Sequence, residues 1–411
     1  MQKNASNVPV SVMEYDDNKY DLSVIIPAYN AEKYIERAIL SVFSGKSGHK
    51  IEVVVVDDYS SDNTVGVVQN IQHSFPDLYL QQQKENRGAG VCRNIGMSCA
   101  QGRYLAFLDA DDYYLDGAID KLADRASDTE VDVLLFKYKV SDESGNFANN
   151  LMARDGLAWE RYDVFQQQVS SLSDAPYLLG LAGYPWNKLI SRAYAEKINL
   201  RFSATYVLND VYAHWQALLF SKKIMVFNQP VVCHIYETNR SQLTNLNDDR
   251  KVHSLTVLDE VRSLFDKFTE LESYIHWFYS FEDDLINWMY RSANINNKRR
   301  LADFYLDRLA SRVKKIPSVI GKKVIIFGVG WTAISHYDIV SAHNNVVGFM
   351  DNTLSRAGYS FMGKPIYNPA AKNLPDYDCI IICSEFVDDI VDSLDSFGLK
   401  NYITINEIYC N

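Results

Sequence analysis

From residue 22 onward the chain alternates short apolar runs with amphipathic stretches. "LSVIIP" and "IEVVVVDD" are continuous, β-branched apolar segments bounded by polar residues, as expected of strands buried on both faces. Between them, "AEKYIERAILSVF" carries Tyr34, Ile35, Ala38, Ile39 and Val42 at helical spacing. "SSDNTVGVVQNIQ" opens a second helix behind Ser and Asp capping candidates. A weaker strand near "LYLQQ" leads into a third helix, "NRGAGVCRNIGMSCAQG", closed at Gly102, and "RYLAFL" reads as a fourth strand. Strands alternating with helices predict an α/β domain with a parallel sheet covered on both faces.

The pattern loosens over residues 131–245, where "VDVLLFKY", "YPWNKLI", "YVLNDVYAHWQALLF" and "IMVFNQPVVCHIY" stand out, and residues 246–316 read as helical. Within that helical stretch Tyr274, Trp277, Phe278, Phe281, Leu285, Trp288 and Met289 form one stripe. Core packing is the plainer reading. A membrane or partner surface is the sharper one, because Lys298, Arg299 and Arg300 follow. After "KKIPSVIGKK" the strand–helix rhythm restarts with "KVIIFGVGWTA", "NVVGFMDN" and "DCIIICS". Gly328, Gly330 and Ala333 make a G-x-G-x-x-A turn into a helix, and Asp351 follows the next strand where dinucleotide folds place a ribose-binding acid. Nucleotide binding and a Rossmann-like fold used for docking or oligomerisation both fit that pattern. The expected division is a leader over 1–20, a first α/β domain over 21–245, a helical segment over 246–316 and a Rossmann-like accessory domain over 317–411.

Composition narrows the function classes. At 411 residues the chain can hold two or three domains. A net charge of −11 with no Lys/Arg-dense segment argues against nucleic acid as a partner. Six cysteines without CxxC spacing suit reduced thiols of a cytoplasmic protein. Residues 1–20 lack the apolar core of a signal peptide, and no run reaches the roughly 20 apolar residues of a membrane span. The expected location is cytoplasmic, with peripheral contact at the inner face of a membrane as a candidate.

Polar chemistry collects where the first strands end, which is where open α/β sheets bind ligands. Asp57 and Asp58 close one strand, and Asp109, Asp111 and Asp112 close another. If the strand continued through them, Asp109 and Asp111 would share a side, with Asp112 turned away into a supporting role. Two convergent carboxylates suit Mg²⁺ or Mn²⁺, which take oxygen ligands and keep places for substrate phosphates. Capping of a loop is the bland alternative. Asp57 or Asp58 could accept hydrogen bonds from a nucleobase or ribose, or cap the helix near Ser61. Arg87 and Arg93 are the local cations for a diphosphate or for the acids themselves.

In order and spacing, "LSVIIPAYNAEKYIERAILSVF", "IEVVVVDDYSSDNT" and "NRGAGVCRNIGMSCAQGRYLAFLDADD" closely resemble the glycosyltransferase family 2 catalytic domain, of GT-A fold. The likeness continues more loosely through "YPWNKLI" and "YVLNDVYAHWQALL" to "ETNRSQLT". It implies inverting transfer of a hexose-type sugar (EC 2.4) from a nucleoside-diphosphate donor, UDP-linked by first expectation, to a hydroxyl of a saccharide or lipid-linked saccharide. Bacterial surface polysaccharide or glycolipid synthesis is the implied setting. By position, Pro27, Tyr29 and Asp58 would line the nucleoside pocket with Asp57 nearby, Arg87 and Arg93 would help hold the nucleotide, Asp109 would reach ribose or metal, and Asp111 would ligate the metal. The family's Glu-Asp pair, whose Asp is the general base, falls on Asn209-Asp210, so Asn replaces Glu. Asp210 is the assigned base; capping of the following helix is its bland reading. His234 is a candidate further metal or phosphate contact, with a packed strand residue as its bland reading, and Tyr184, Trp186 and Asn187 are candidate acceptor-side residues, with burial of Trp186 in the core fitting equally well. Homo-oligomerisation through the C-terminal domain is a further candidate. A sugar-nucleotidyltransferase and a non-catalytic nucleotide-sugar-binding scaffold remain the alternatives. The first expects glycines with Arg and Lys directly after strand one, and "IIPAYNAEKY" has none of those glycines.

Overall fold

The computed structural model describes residues 19–45, 48–142, 146–148, 155–156, 159, 169–236, 249–313, 320–384 and 387–405. The expected leader up to residue 18, the "ETNRSQLT" motif and residues 314–319 of the linker lie outside these. The chain divides into two compact units, Met1–Lys267 and Phe268–Asn411, so the division falls inside the segment read as helical.

The first unit opens with β1 (Tyr20–Ala28), α1 (Ile35–Phe43), β2 (Ile51–Asp57), α2 (Thr64–Gln72), β3 (Leu78–Gln82), α3 (Ala89–Cys99) and β4 (Gly102–Phe107). These are the elements that the apolar pattern predicts. On α1 the buried residues are Ile35, Ala38, Ile39 and Val42, one stripe at helical spacing. After its first residue β2 is buried throughout, because helices cover both faces of a parallel sheet. The chain continues through β5 (Tyr113–Tyr114), α4 (Ala118–Thr129), β6 (Val133–Ser141), β7 (Phe147–Ala148), β8 (Val169–Ser170), β9 (Lys188–Ser191), α5 (Arg192–Lys197), α6 (Val211–Leu219), β10 (Ile224–Ile235), α7 (Asp249–His253) and α8 (Thr256–Lys267). Strand order in the sheet is β3-β2-β1-β4-β9-β6-β10-β5, with β7 beside β6 and β8 beside β10. β1 to β4 run parallel, whereas β9 is antiparallel to both β4 and β6. The sheet is therefore mixed rather than wholly parallel. Because β9 is reversed, its start at Lys188 lies beside the carboxyl end of β4, the edge where the aspartates lie.

The second unit carries α9 (Ile275–Ser292), α10 (Ile295–Val313), β11 (Lys323–Phe327), α11 (Trp331–His343), β12 (Asn345–Met350), β13 (Ser360–Phe361), β14 (Lys364–Tyr367), β15 (Cys379–Ile382), α12 (Val387–Ser396) and β16 (Tyr402–Thr404). Its sheet runs β13-β14-β12-β11-β15-β16, and all neighbours from β14 to β16 are parallel. That order, 3-2-1-4-5 counted along the parallel strands, is the doubly wound pattern expected from the sequence. Gly328 has φ 112°, and a Cβ there would meet the Cys383 carbonyl oxygen at 2.6 Å, so only glycine fits where β11 turns beside the end of β15. The Asp351 carboxylate accepts the Thr353 N–H at 2.8 Å and pairs with Arg356 at 2.9 Å. The residue expected to bind ribose thus caps its own loop.

Of the aromatic stripe, Phe278, Phe281 and Met289 are buried, Tyr274, Trp277 and Leu285 are half-buried, and Trp288 is exposed. No helix among the described residues is long and apolar enough to cross a membrane. Of the described cysteines, Cys92, Cys233, Cys379 and Cys383 are buried, Cys99 is exposed, and none is in a disulfide.

Candidate active site

Two loops lie side by side at the carboxyl edge of β1 and β2, where Ala28 pairs with Asp57. The Asn30 N–H donates to Ser60 Oγ at 2.9 Å, and the Ser61 N–H donates to Asn30 Oδ1 at 2.9 Å. Pro27 is the penultimate residue of β1, and Tyr29 beyond it is exposed. Asp58 is buried and accepts the N–H groups of Arg87 and Gly88 at 2.8 and 2.7 Å, so its carboxylate shapes the turn that starts α3. The Arg87 side chain is exposed. Asp57 Oδ2 accepts the Ser60 N–H at 3.1 Å, while the buried Oδ1 has no hydrogen-bond partner among the described residues.

The aspartate cluster follows a geometry that strand parity does not describe. β4 ends at Phe107, and Asp109 to Asp112 form a turn in which the Asp112 N–H donates to the Asp109 carbonyl at 3.0 Å. The i, i+2 argument for Asp109 and Asp111 therefore does not apply, because like charges at a chain reversal are sorted by their partners. Each acid's segment has its own cation. Asp109 pairs with Arg93 at 2.6 Å, Asp112 with His234 Nδ1 at 3.0 Å, and the Asp111 carbonyl accepts from Arg37 at 2.6 Å. Arg37 also lies over the Tyr113 ring at 4.9 Å. Asp112 is fully buried and accepts the Ile235 N–H at 2.9 Å, which ties the end of β10 to the turn.

Arg93 is the centre of the site. It is buried on α3; one guanidinium nitrogen donates to Asp109 and another to Asn209 Oδ1, both at 2.6 Å. Its guanidinium carbon sits 5.4 Å from the centre of the Phe202 ring. Of the two readings of Arg93, a cation for a diphosphate or for the acids themselves, its pairing with Asp109 matches the second, within a buried bridge between two protein segments. The close approach that makes this possible depends on Gly90, where a Cβ would come within 2.2 Å of the Ser203 carbonyl oxygen and 2.8 Å of Asn209 Cβ. Asn209 is also the departure from the family's Glu. With Asp109 already on Arg93, a neutral amide satisfies the second arm of the guanidinium without adding a second buried negative charge.

Asp210 follows at the start of α6. It holds the N-cap position, yet its side chain makes no capping hydrogen bond among the described residues, which counts against the bland reading. Burial raises its pKa, with Asp109 adding to that; Arg93 and Lys188 pull the other way. Lys188 escaped the sequence reading. It is a buried lysine on β9, its ammonium donating to the Tyr184 carbonyl, and burial lowers its pKa to about 7 against the attraction of Asp210 and Asp155. A lysine beside "YPWN" looks like a solvated residue until β9 is known to be an interior strand between β4 and β6.

The acceptor-side candidates separate. Trp186 and Asn187 are each 1% exposed, and Trp186 packs against Tyr184 at 4.5 Å and His234 at 5.3 Å, so its burial leaves no face for a sugar. Tyr184 is half-buried at the edge of that stack. His234, a candidate metal or phosphate contact, pairs through Nδ1 with the buried Asp112 carboxylate. Burial disfavours its protonation, but the charge and hydrogen bond of Asp112, with Asp109 and Asp111 beyond, outweigh this and lift its pKa to about 9. No group of three His, Cys, Asp or Glu among the described residues could hold a cation by itself. Asp109 and Asp111 offer hard carboxylate oxygens, a donor set that fits a divalent cation completing its shell with diphosphate and water.

This arrangement was compared with known proteins. Residues 23–182 match the family described as Glycosyl transferase family 2, and residues 320–405 match the one described as C2185-like, N-terminal. Residues 23–182 form a glycosyltransferase family 2 domain. The putative teichuronic acid biosynthesis glycosyltransferase TuaG of Bacillus subtilis is 40% identical over 141 residues, 34% of this chain and 51% of TuaG. A GalNAc(5)-diNAcBac-PP-undecaprenol beta-1,3-glucosyltransferase of Campylobacter jejuni is 33% identical over 191 residues, 46% of this chain and 57% of that protein. The chain thus spans little more than half the length of these two relatives. The structure of S. aureus TarS 1–349 in complex with UDP-GlcNAc superimposes with a TM-score of 0.58 at 19% identity, over 70% of this chain and 80% of that one. The mixed α/β fold is accordingly of the GT-A type seen in TarS.

Proposed function

We propose that the protein is an inverting glycosyltransferase that moves a sugar from a nucleoside-diphosphate sugar to an acceptor hydroxyl. The observation that carries this reading is the Arg93 bridge, which brings the donor-side acid Asp109 and the Asn209–Asp210 turn into one cluster at the edge of the family 2 domain. On this reading Tyr29, Asp57 and Asp58 face the nucleoside, and Asp109 and Asp111 face the diphosphate. A divalent cation, Mg²⁺ or Mn²⁺, would be held by Asp109 and Asp111 and would supply positive charge where the leaving diphosphate gathers electrons. Asp210, with its raised pKa, takes the proton of the acceptor hydroxyl as that oxygen attacks the anomeric carbon opposite the diphosphate. Tyr184 remains the acceptor-side candidate.

The relatives' named roles and TarS's bound UDP-GlcNAc favour a UDP-linked donor and a saccharide or lipid-linked acceptor in surface-polymer synthesis. The alternatives, a nucleotidyltransferase or a binding scaffold, are less well supported, because neither needs a half-buried acid like Asp210 beside the donor acids. The test is a thermal-unfolding panel of UDP-, GDP- and dTDP-sugars with and without Mn²⁺. One nucleotide class is expected to raise the transition by several degrees, and only with the cation. At one hundred times Kd the stabilisation is about 2.7 kcal/mol. No shift with any nucleotide sugar would count against the donor assignment.

A further inference from the structure

The turn after β2 contains a residue that the reading above leaves without a task. Tyr59 has φ 66°, in the left-handed region where glycine and asparagine are at home and a bulky side chain is an outlier. Its neighbours enforce that conformation. The Ser60 N–H is held by Asp57 Oδ2 at 3.1 Å, Ser60 Oγ by the Asn30 N–H at 2.9 Å, and the Ser61 N–H by Asn30 Oδ1 at 2.9 Å. The side chain receives nothing in return: it is 60% exposed and makes no ring contact or hydrogen bond among the described residues. A second observation points to a ligand at the same turn. Asp57 is 2% exposed and its Oδ1 lacks a donor, so the turn has one more buried acceptor than the protein satisfies. Tyr29 stands exposed on the loop stitched to this one.

We propose that Tyr59 is a donor-affinity residue whose ring stacks on the nucleobase of the bound nucleoside diphosphate, beside Asp57 and opposite Tyr29. Strain in a turn whose side chain does no internal work is expected where the side chain serves a ligand. Stacking on an aromatic face also tolerates several bases, so Tyr59 sets affinity for the base while the acceptor at Asp57 sets which N–H is preferred. This inference rests on the donor reading above, and its test separates the two.

The experiment measures binding of UDP, GDP, CDP, dTDP and inorganic pyrophosphate, each with Mn²⁺, by calorimetry on the full chain and on Tyr59→Gly and Tyr59→Phe. Glycine relieves the backbone, so Tyr59→Gly should unfold roughly 2–4 °C higher than wild type. It should nevertheless bind its preferred nucleoside diphosphate roughly 5- to 150-fold more weakly, with pyrophosphate unchanged. Tyr59→Phe keeps the ring and should bind within about twofold of wild type. Nucleotide affinity unchanged in a stabilised Tyr59→Gly would overturn the proposal, as would an equal loss for pyrophosphate, which would signal a displaced loop. Wild-type protein that binds none of the four nucleotides would refute the donor reading and this inference with it.

Discussion

Asp210→Asn is expected to bind the donor within about twofold of wild type and to turn over about 10²–10⁴-fold more slowly. The substitution keeps the shape of the side chain and removes only its capacity to take a proton. It also separates the two roles that Asp210 could have. Asparagine is as good a helix N-cap as aspartate, so a residue that merely started α6 would lose nothing on this change. The structure already weakens the capping role, since the Asp210 side chain makes no capping bond among the described residues. Burial raises its pKa, and Arg93 and Lys188 oppose that rise. Turnover of Asp210→Asn within a few-fold of wild type, with acceptor saturating, would remove Asp210 from the chemistry.

The second large effect concerns Arg93. Arg93→Met should lose stability and turnover together, because it removes the one group that satisfies both Asp109 and Asn209. Breaking a fully buried ion pair from one side costs about 3–5 kcal/mol. The Asp109 side chain is 32% exposed and can recover some hydration, so about 2–3 kcal/mol is the better expectation here. Denaturant unfolding would read that as a lower midpoint at unchanged slope. Turnover should fall by about a hundredfold or more, since donor acid and base would no longer share a fixed geometry. Arg93→Lys is the informative companion. A lysine keeps the charge but cannot span two acceptors with a planar fork, so it should recover part of the stability and little of the turnover. Full turnover in Arg93→Lys would mean that charge alone matters at this position.

The two variants bear on how far the chain could be read before its structure was known. Both α/β units were legible because buried parallel strands leave unbroken apolar runs, as in β2, and amphipathic helices leave a stripe, as on α1. The acids were legible as well, since charges at strand ends are conspicuous. Their partners were not. Arg93 meets Asn209 across 116 positions, and His234 meets Asp112 across 122; local spacing says nothing about either. The parity argument failed because it assumed that β4 continued past Phe107. Trp186 resembled a sugar platform in the sequence, although the reversal of β9 places it in the core. Lys188 was invisible for the same reason. Tyr59 was hidden differently: nothing in "DDYSSD" shows that the tyrosine takes a left-handed backbone.

The central claim is that one cluster at the edge of the first sheet holds a nucleotide sugar and breaks its sugar–diphosphate bond. Release of nucleoside diphosphate from the stabilising nucleotide sugar, followed on the full chain with Mn²⁺ for wild type and Asp111→Ala, tests it most directly. Steady release by wild type that requires the cation and falls at least about a hundredfold in Asp111→Ala is the predicted result. Equal release by both proteins, or none from wild type with any donor that binds, would contradict the account.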